Sequence, residues 1–466
     1  MYKKWLDFEY SIYYTVNMVF YRKITESLTA WRKDPNRKPL VLRGARQTGK
    51  TTVVREFGRT FDTFLYLNLD LAEDRTFFDQ EVPVHQIVDR ICLEKHAVRK
   101  GDTLLFIDEI QNSPEAVKQM RYFYEDMPEL FVIGAGSLLE IMMDMHRISF
   151  PVGRVEYRYL FPLSFEEFLY ASGETEAQKL FIQIPVPSYA EPVLGKLFRI
   201  YAMVGGMPEA VARYVQTKEV SQLAPVYEAL MTSFSDDVAK YAKTPAQTTI
   251  IRHVIETAPI ETGKRITFEN FGNAGFKSKE AGDALRILER AMILYLRYPI
   301  TGTALPLFPD LKRKPRLQFL DTGLLNYKAG IQAEYYRNES LDSLYNGIIA
   351  EQITGQELLA SSSFVLQKPL FWVRELKQSN AEVDFVIVRN GNIIPVEVKS
   401  GKTGTLRSLH SYIDHSRVRL AVRLYSGTYA VEQAVTPGGT AFTLINLPLF
   451  LSGRIDGYID AGTALL

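Results

Sequence analysis

The sequence predicts an α/β protein of several units: a parallel sheet in front, a helical region in the middle and a second α/β unit behind. Three observations predict it. Between 39 and 161, short apolar runs alternate with helical stretches, the pattern of a parallel sheet covered on both faces. From about 195 to 300 the apolar spacing is helical. After about 335, strand-like runs return around a tight-turn dipeptide, Asn390-Gly391. At ~100–200 residues per domain, such a chain holds two to four domains.

The elements follow in order. Residues 10–20 are apolar and aromatic and follow Lys3 and Lys4, as in a signal peptide. Asp7 and Glu9 interrupt the run, no small-residue cleavage pattern follows, and the run is too short to span a bilayer. It reads as an extension, 1–20, that packs on something, with Met18 as an alternative start and 23–31 as a first helix. Strands are predicted at 39–43, 63–68, 103–107, 130–133 and 155–160, within a unit spanning 21–195. In the unit 196–330, Ser278 reads as an N-cap ahead of a stripe of Ala281, Ala284, Leu285, Leu288 and Ala291. A strand at 292–298 and a Pro/Gly-rich loop at 299–309 complete a winged-helix-like pattern. The last unit, 331–466, has a helix at about 341–360 and strands at 371–375, 382–389 and 393–399.

Composition excludes little. Lys plus Arg number 55 and Asp plus Glu 54, so net charge gives no global argument for nucleic acid or a membrane surface. The one cysteine, Cys92, permits no intramolecular disulfide and no thiolate metal site within one chain, which fits a reducing, cytoplasmic setting. No transmembrane segment, repeat or low-complexity tract stands out.

Two stretches carry phosphate chemistry. Gly44-Ala45-Arg46-Gln47-Thr48-Gly49-Lys50-Thr51 fits G-x-x-x-x-G-K-[ST] in full, between a predicted strand and a helix that continues through Thr52. Glycines let backbone N–H groups curl around an anion, and the helix N-terminus adds partial positive charge. Lys50 can reach the β- and γ-phosphates of ATP, and the Thr51 hydroxyl can ligate Mg²⁺. The run 104–109 is an apolar strand ending in Asp108 and Glu109. Asp108 would hold Mg²⁺ through water, and Glu109 would take a proton from the attacking water.

The runs 38–52 and LLFIDEIQ at 104–111, together with GSLLEI at 136–141, Gly153-Arg154 and PLSFEEF at 162–168, resemble a bacterial and archaeal family of AAA-type (AAA+) ATPases. The resemblance continues through Tyr201, 205–209, 234–241 and 319–323. It implies a winged-helix middle and a C-terminal domain, long labelled as of unknown function, similar to PD-(D/E)xK (restriction-endonuclease-like) nucleases. In AAA+ proteins a polar residue ending the fourth strand senses the γ-phosphate, which makes Ser137 the candidate; an ordinary helix cap is the alternative. Arg147 and Arg154 are candidate arginine fingers acting across a homo-oligomer interface, against the plainer reading of surface arginines.

The C-terminal run can be read from its own residues. With Asn390-Gly391 as a two-residue type I′ turn, Asp384 falls opposite Glu397 and Glu382 opposite Lys399, all four on one face. Directly opposed Cβ atoms lie ~4.5–5.5 Å apart, so the two carboxylates repel unless a cation lies between them. Asp384 and Glu397 would grip Mg²⁺, Lys399 would position or deprotonate the attacking water or steady the developing phosphorane charge, and Glu351 on the preceding helix would be an extra acid. This matches E…D…E-x-K, with a phosphodiester as substrate. The bland alternative is a solvated hairpin with a Glu382–Lys399 ion pair of little value. A basic cluster, Lys312-Arg313-Lys314-Pro315-Arg316, is dense enough to contact DNA phosphates, or is a solvated loop. Three functions compete: an ATPase gating a nuclease, an ATP-controlled regulatory switch without cleavage, and a translocating motor, for which no pore loop is visible.

Overall fold

A computed structural model describes residues 19–463 apart from 80–81, 140, 143–150, 152, 240–241, 243, 331, 333–346, 363, 365, 377–378 and 402–403. The readings of residues 1–18, Met18 included, and of Arg147 lie outside the described residues. Among those described, no helix is long and apolar enough to cross a membrane.

The front sheet is parallel throughout: β1 (Leu40–Arg43), β2 (Thr63–Asn68), β3 (Thr103–Asp108), β4 (Phe131–Gly136) and β5 (Glu156–Tyr159), in the order 2-3-4-1-5. The central strands β1, β3 and β4 are buried at every position, whereas β2 at the edge alternates buried and half-buried. Alternation splits the apolar residues between two cores. Val41, Leu105, Ile107 and Val132 face helices α3 (Val84–Glu94) and α4 (Pro114–Asp126). Leu40, Leu42, Leu104, Phe106 and Ile133 face α1 (Ile24–Lys33) and α2 (Lys50–Gly58). A parallel sheet needs both faces covered, and here the strand ends of β1 and β3 are left to face outward with their loops.

Helices α5 (Phe165–Ala171), α6 (Thr175–Phe181), α7 (Glu191–Val204), α8 (Pro208–Thr217), α9 (Ala224–Ala239), α10 (Pro245–Thr257) and α11 (Ser278–Arg290) form the middle. The predicted stripe of α11 is buried throughout. Ser278, however, is the first helical residue rather than the cap; Lys277 precedes the helix and its N–H bonds the Glu280 side chain. Two strands follow, β6 (Leu294–Arg297) and β8 (Arg316–Phe319), paired antiparallel. The stretch expected to be loop contains a short strand, β7 (Pro299–Ile300), which joins the last sheet by pairing with Phe371 and Trp372.

After α12 (Thr322–Lys328) and α13 (Gly347–Ala360), a seven-stranded sheet forms the C-terminal unit. Its strands are β7, β9 (Leu370–Leu376), β10 (Ser379–Arg389), β11 (Asn392–Val398), β12 (Leu420–Tyr425), β13 (Ala430–Val435) and β14 (Ala441–Pro448), with α14 (Arg407–Ser416) on one face and α15 (Ile455–Thr463) last. Asn390 and Gly391 both take positive φ, 50° and 76°, the requirement of a type I′ turn. The predicted register holds from Arg389↔Asn392 to Phe385↔Val396. One apolar core runs from Ala45 through the middle helices to Ile459, so the three units are packed together.

Candidate functional site

The front site lies at the C-terminal ends of β1 and β3. The loop 44–49 turns tightly: Gln47 and Gly49 take positive φ, and the Thr48 hydroxyl bonds the Ala45 carbonyl at 2.9 Å. A Cβ on Gly44 would lie 2.4 Å from the Leu160 carbonyl oxygen, so only glycine fits there. Lys50 opens α2, is buried, and its Nζ donates to the carbonyls of Gly44 and Ala45 at 3.0 and 2.9 Å. Burial pulls its ammonium pKa down, opposed by the charges of Glu109 and Asp108. Thr51 Oγ1, in the first turn of α2, donates to Asp108 Oδ2 at the end of β3 at 2.7 Å. Burial raises both Asp108 and Glu109 above the ordinary carboxylate range. Thr52 and Gln47 point to solvent.

Glu109 adopts left-handed backbone, φ 50°, and accepts a hydrogen bond from Gln111 Nε2. Gln111 in turn lies against Gly136, where a Cβ would come within 2.1 Å of its Oε1. Ser137 follows directly and is buried at the end of β4, between the two loop-bearing strands. Arg154 is partly exposed and paired with Glu125 at 2.8 Å, a contact within the same chain. Arg46 reaches out of the loop to pair with Asp237 on α9.

The back site differs from the expectation in who holds the carboxylates. Lys399 Nζ bonds Glu397 Oε1 at 2.6 Å, and Asp384 Oδ2 accepts from the Val398 N–H at 2.9 Å, so Asp384, Glu397 and Lys399 do converge. The Glu382–Lys399 ion pair of the solvated-hairpin alternative is not made: Glu382 is ion-paired with Arg316, and Lys399 with Glu397. Arg316 also bonds Glu351, and its Nη1 lies 3.3 Å from Asp384 Oδ1. Its cross-strand partner Arg297 donates to Glu351 at 3.0 Å, to the Asp384 carbonyl at 2.7 Å and to the Pro369 carbonyl at 3.0 Å. Burial lowers Arg297 to about 10, so it stays charged at neutral pH. Burial beside Asp384 pushes Glu397 up to about 7, and its buried Oε2 has no hydrogen-bond partner among the described residues. Among the described residues, no three His, Cys, Asp or Glu side chains are placed to share a metal ion. The basic cluster is partly spent: Arg316 is buried among acids, and Arg313 pairs with Asp310 and Glu375.

Sequence reasoning gave no role to Gln111, Arg22, Asp237 and Arg297, and read Arg316 only as part of a basic cluster for DNA phosphates. Arg22 donates to the Thr48 carbonyl at 2.8 Å and pairs with Glu167 at 3.1 Å, bracing the phosphate loop from outside the motif. Gln111 lay in plain view two residues beyond Glu109; the others carry no local pattern.

Residues 36–169 match a family model described as an AAA domain. Residues 195–335 and 346–449 each match a domain of unknown function, DUF8612 and DUF4143. No curated protein matches the chain. Among solved structures, the Walker-type ATPase PABY2304 of Pyrococcus abyssi is 12% identical with TM-score 0.42, over 67% of this chain and 96% of that one. PCH-2 of C. elegans is 11% identical with TM-score 0.25, over 43% and 65%. With a complete phosphate loop bonded to an acid-tipped strand, and an AAA match over those residues, the front of the chain is a P-loop ATP-binding domain of the AAA type.

Proposed function

We propose that ATP binding and hydrolysis at residues 44–52 and 108–109 control a C-terminal PD-(D/E)xK-like domain that binds nucleic acid and cleaves it with a divalent metal ion. The observation that carries the ATP half is the 2.7 Å bond between Thr51 and Asp108 beside Lys50. A hydroxyl and a carboxylate this close form a hard-oxygen pair that suits Mg²⁺, which when bound neutralises phosphate charge. Lys50 neutralises the β- and γ-phosphates, and Glu109, oriented by Gln111, takes the proton of the attacking water.

The C-terminal half rests on Glu397, whose buried Oε2 has no hydrogen-bond partner among the described residues and fits a cation, with Lys399 beside it to steady developing phosphate charge. Glu351 and Asp384 would complete the metal's oxygen set. The helices before β6 and β8 support a winged-helix reading of the middle, and DNA is the partner such a region would place. The test is one tube: purified full chain, ATP, Mg²⁺ and labelled DNA, with phosphate release and strand cleavage followed together. ATP turnover with cleavage that disappears in Lys399→Ala supports the reading; no cleavage of DNA or RNA with Mg²⁺ or Mn²⁺ refutes the nuclease part.

A second reading is a switch in which the C-terminal domain only recognises a partner. The two arginines among its carboxylates favour it, since they neutralise the acids without metal. A cellular phenotype lost in Lys50→Ala and kept in Lys399→Ala would decide for it.

A further inference from the structure

We propose that Arg316 is the resident cation of the C-terminal carboxylate cluster, and that its guanidinium must swing out before a divalent metal ion can enter. The proposal rests on the metal reading above and says what controls it. Arg316 touches three of the acids at once: Glu351 on α13, and Glu382 and Asp384 on β10. A bridging cation would occupy that same central position.

The two arginines are not equivalent. Arg297 is fixed by two main-chain carbonyls as well as by Glu351, so it belongs to the framework. The ion pairs of Arg316 that hold it are to carboxylates, groups a metal ion also wants, and its guanidinium lies over the Phe371 ring at 5.2 Å. Arg316 opens β8, whose main chain is held on both sides by Arg297 and Arg265 and by the Ile266 N–H on the Pro315 carbonyl, so the part free to leave is its half-buried side chain, not the strand.

Charge points the same way. Arg297, Arg316 and Lys399 set three positive charges against four carboxylates, Glu351, Glu382, Asp384 and Glu397. Exchanging the single charge of Arg316 for a divalent ion brings the cluster to neutrality, which favours entry once the guanidinium leaves. While it stays, Glu351 and Asp384 are spoken for, and the three acids cannot converge on a common point.

The test is Mn²⁺ titration calorimetry on the full chain in an Asp108→Asn background, which removes the phosphate-loop contribution. Arg316→Ala should tighten Mn²⁺ binding at least about tenfold over the parent, the effect of removing a competing charge-assisted contact. Glu382→Gln should do the same, because it loosens Arg316 and spares Glu351, Asp384 and Glu397. That variant keeps the proposal testable should Arg316→Ala fail to fold, and it opposes simple electrostatics, under which loss of an acid weakens cation binding. Adding Glu397→Gln to either should abolish the gain. Equal Mn²⁺ affinity in parent and variants overturns the gate and leaves the metal site standing, as does weaker binding in Glu382→Gln. No binding in any folded variant overturns both.

Discussion

At the scale of single residues, the front site makes the sharpest demands. Lys50 is buried and held by two loop carbonyls, so its ammonium is pre-placed for an anion entering the loop. Lys50→Ala should weaken ATP about 100-fold or more, read by fluorescent-nucleotide titration, because it removes charge-assisted bonds to phosphate. Glu109→Gln should keep ATP affinity and lower turnover by about 10²–10⁴-fold, since only the proton transfer is lost. Glu357 supplies a pH prediction. It is buried, accepts from Tyr201 Oη at 2.7 Å and the Phe165 N–H at 3.0 Å, and burial pushes it up to about 7. Its folded pKa lies above the unfolded value of about 4.3, so its contribution is full below that pH and is lost as pH rises to about 7. Glu357→Gln should therefore flatten the fall of denaturant stability across this window, by at most about 1.4 kcal/mol per pH unit. An unchanged slope would show that Glu357 does not carry it.

At the scale of elements, what could be read in advance is what the chain specifies locally. The phosphate loop is eight consecutive residues, and the acid-tipped β3 lies in one run, so both were legible. The back hairpin was legible because turn chemistry fixes register: Asn390 and Gly391 supply the two positive φ angles, and pairing follows residue by residue to Phe385↔Val396. Gly391→Ala should accordingly cost about 1 kcal/mol, seen as a lower melting temperature. An unshifted melting temperature would mean that the turn relaxes without penalty. The identity of the carboxylates' partners was illegible for the opposite reason. Arg297 meets Glu351 from 54 residues away, and Arg316 meets Asp384 from 68. Nothing in the local spacing of Arg297 or Arg316 distinguishes an arginine bound for a buried acid from one bound for solvent. β7 was read as loop because two residues, one of them proline, have no period of their own; its partner on β9 makes it a strand.

At the scale of the whole molecule, the question is how an ATP site at one end could be felt by acids at the other. α13 joins them. Glu351 at its start lies in the acid cluster, and Gln352 bonds both the N–H and the carbonyl of Phe319 on β8, at 3.1 and 2.6 Å. One turn on, Gln356 bonds the Thr322 N–H and Tyr201, and Glu357 bonds Tyr201 and the start of α5. Glu351 and Glu357 are roughly 9 Å apart along the axis, at 1.5 Å per residue, so a rigid helix links both ends. From α5, Glu167 pairs with Arg22, which holds the Thr48 carbonyl of the phosphate loop. A continuous path becomes coupling only if ATP moves something along it. ATP should therefore change amide hydrogen exchange in 347–360 of the wild-type chain. In Glu357→Leu, which cuts the bond to Phe165 while leaving the phosphate loop intact, ATP should still bind but the exchange change should vanish. If the α13 response persists in that variant, the helix is not the route by which the two ends communicate. If it is absent from the wild type as well, the two sites work independently and the phosphate loop serves the front domain alone.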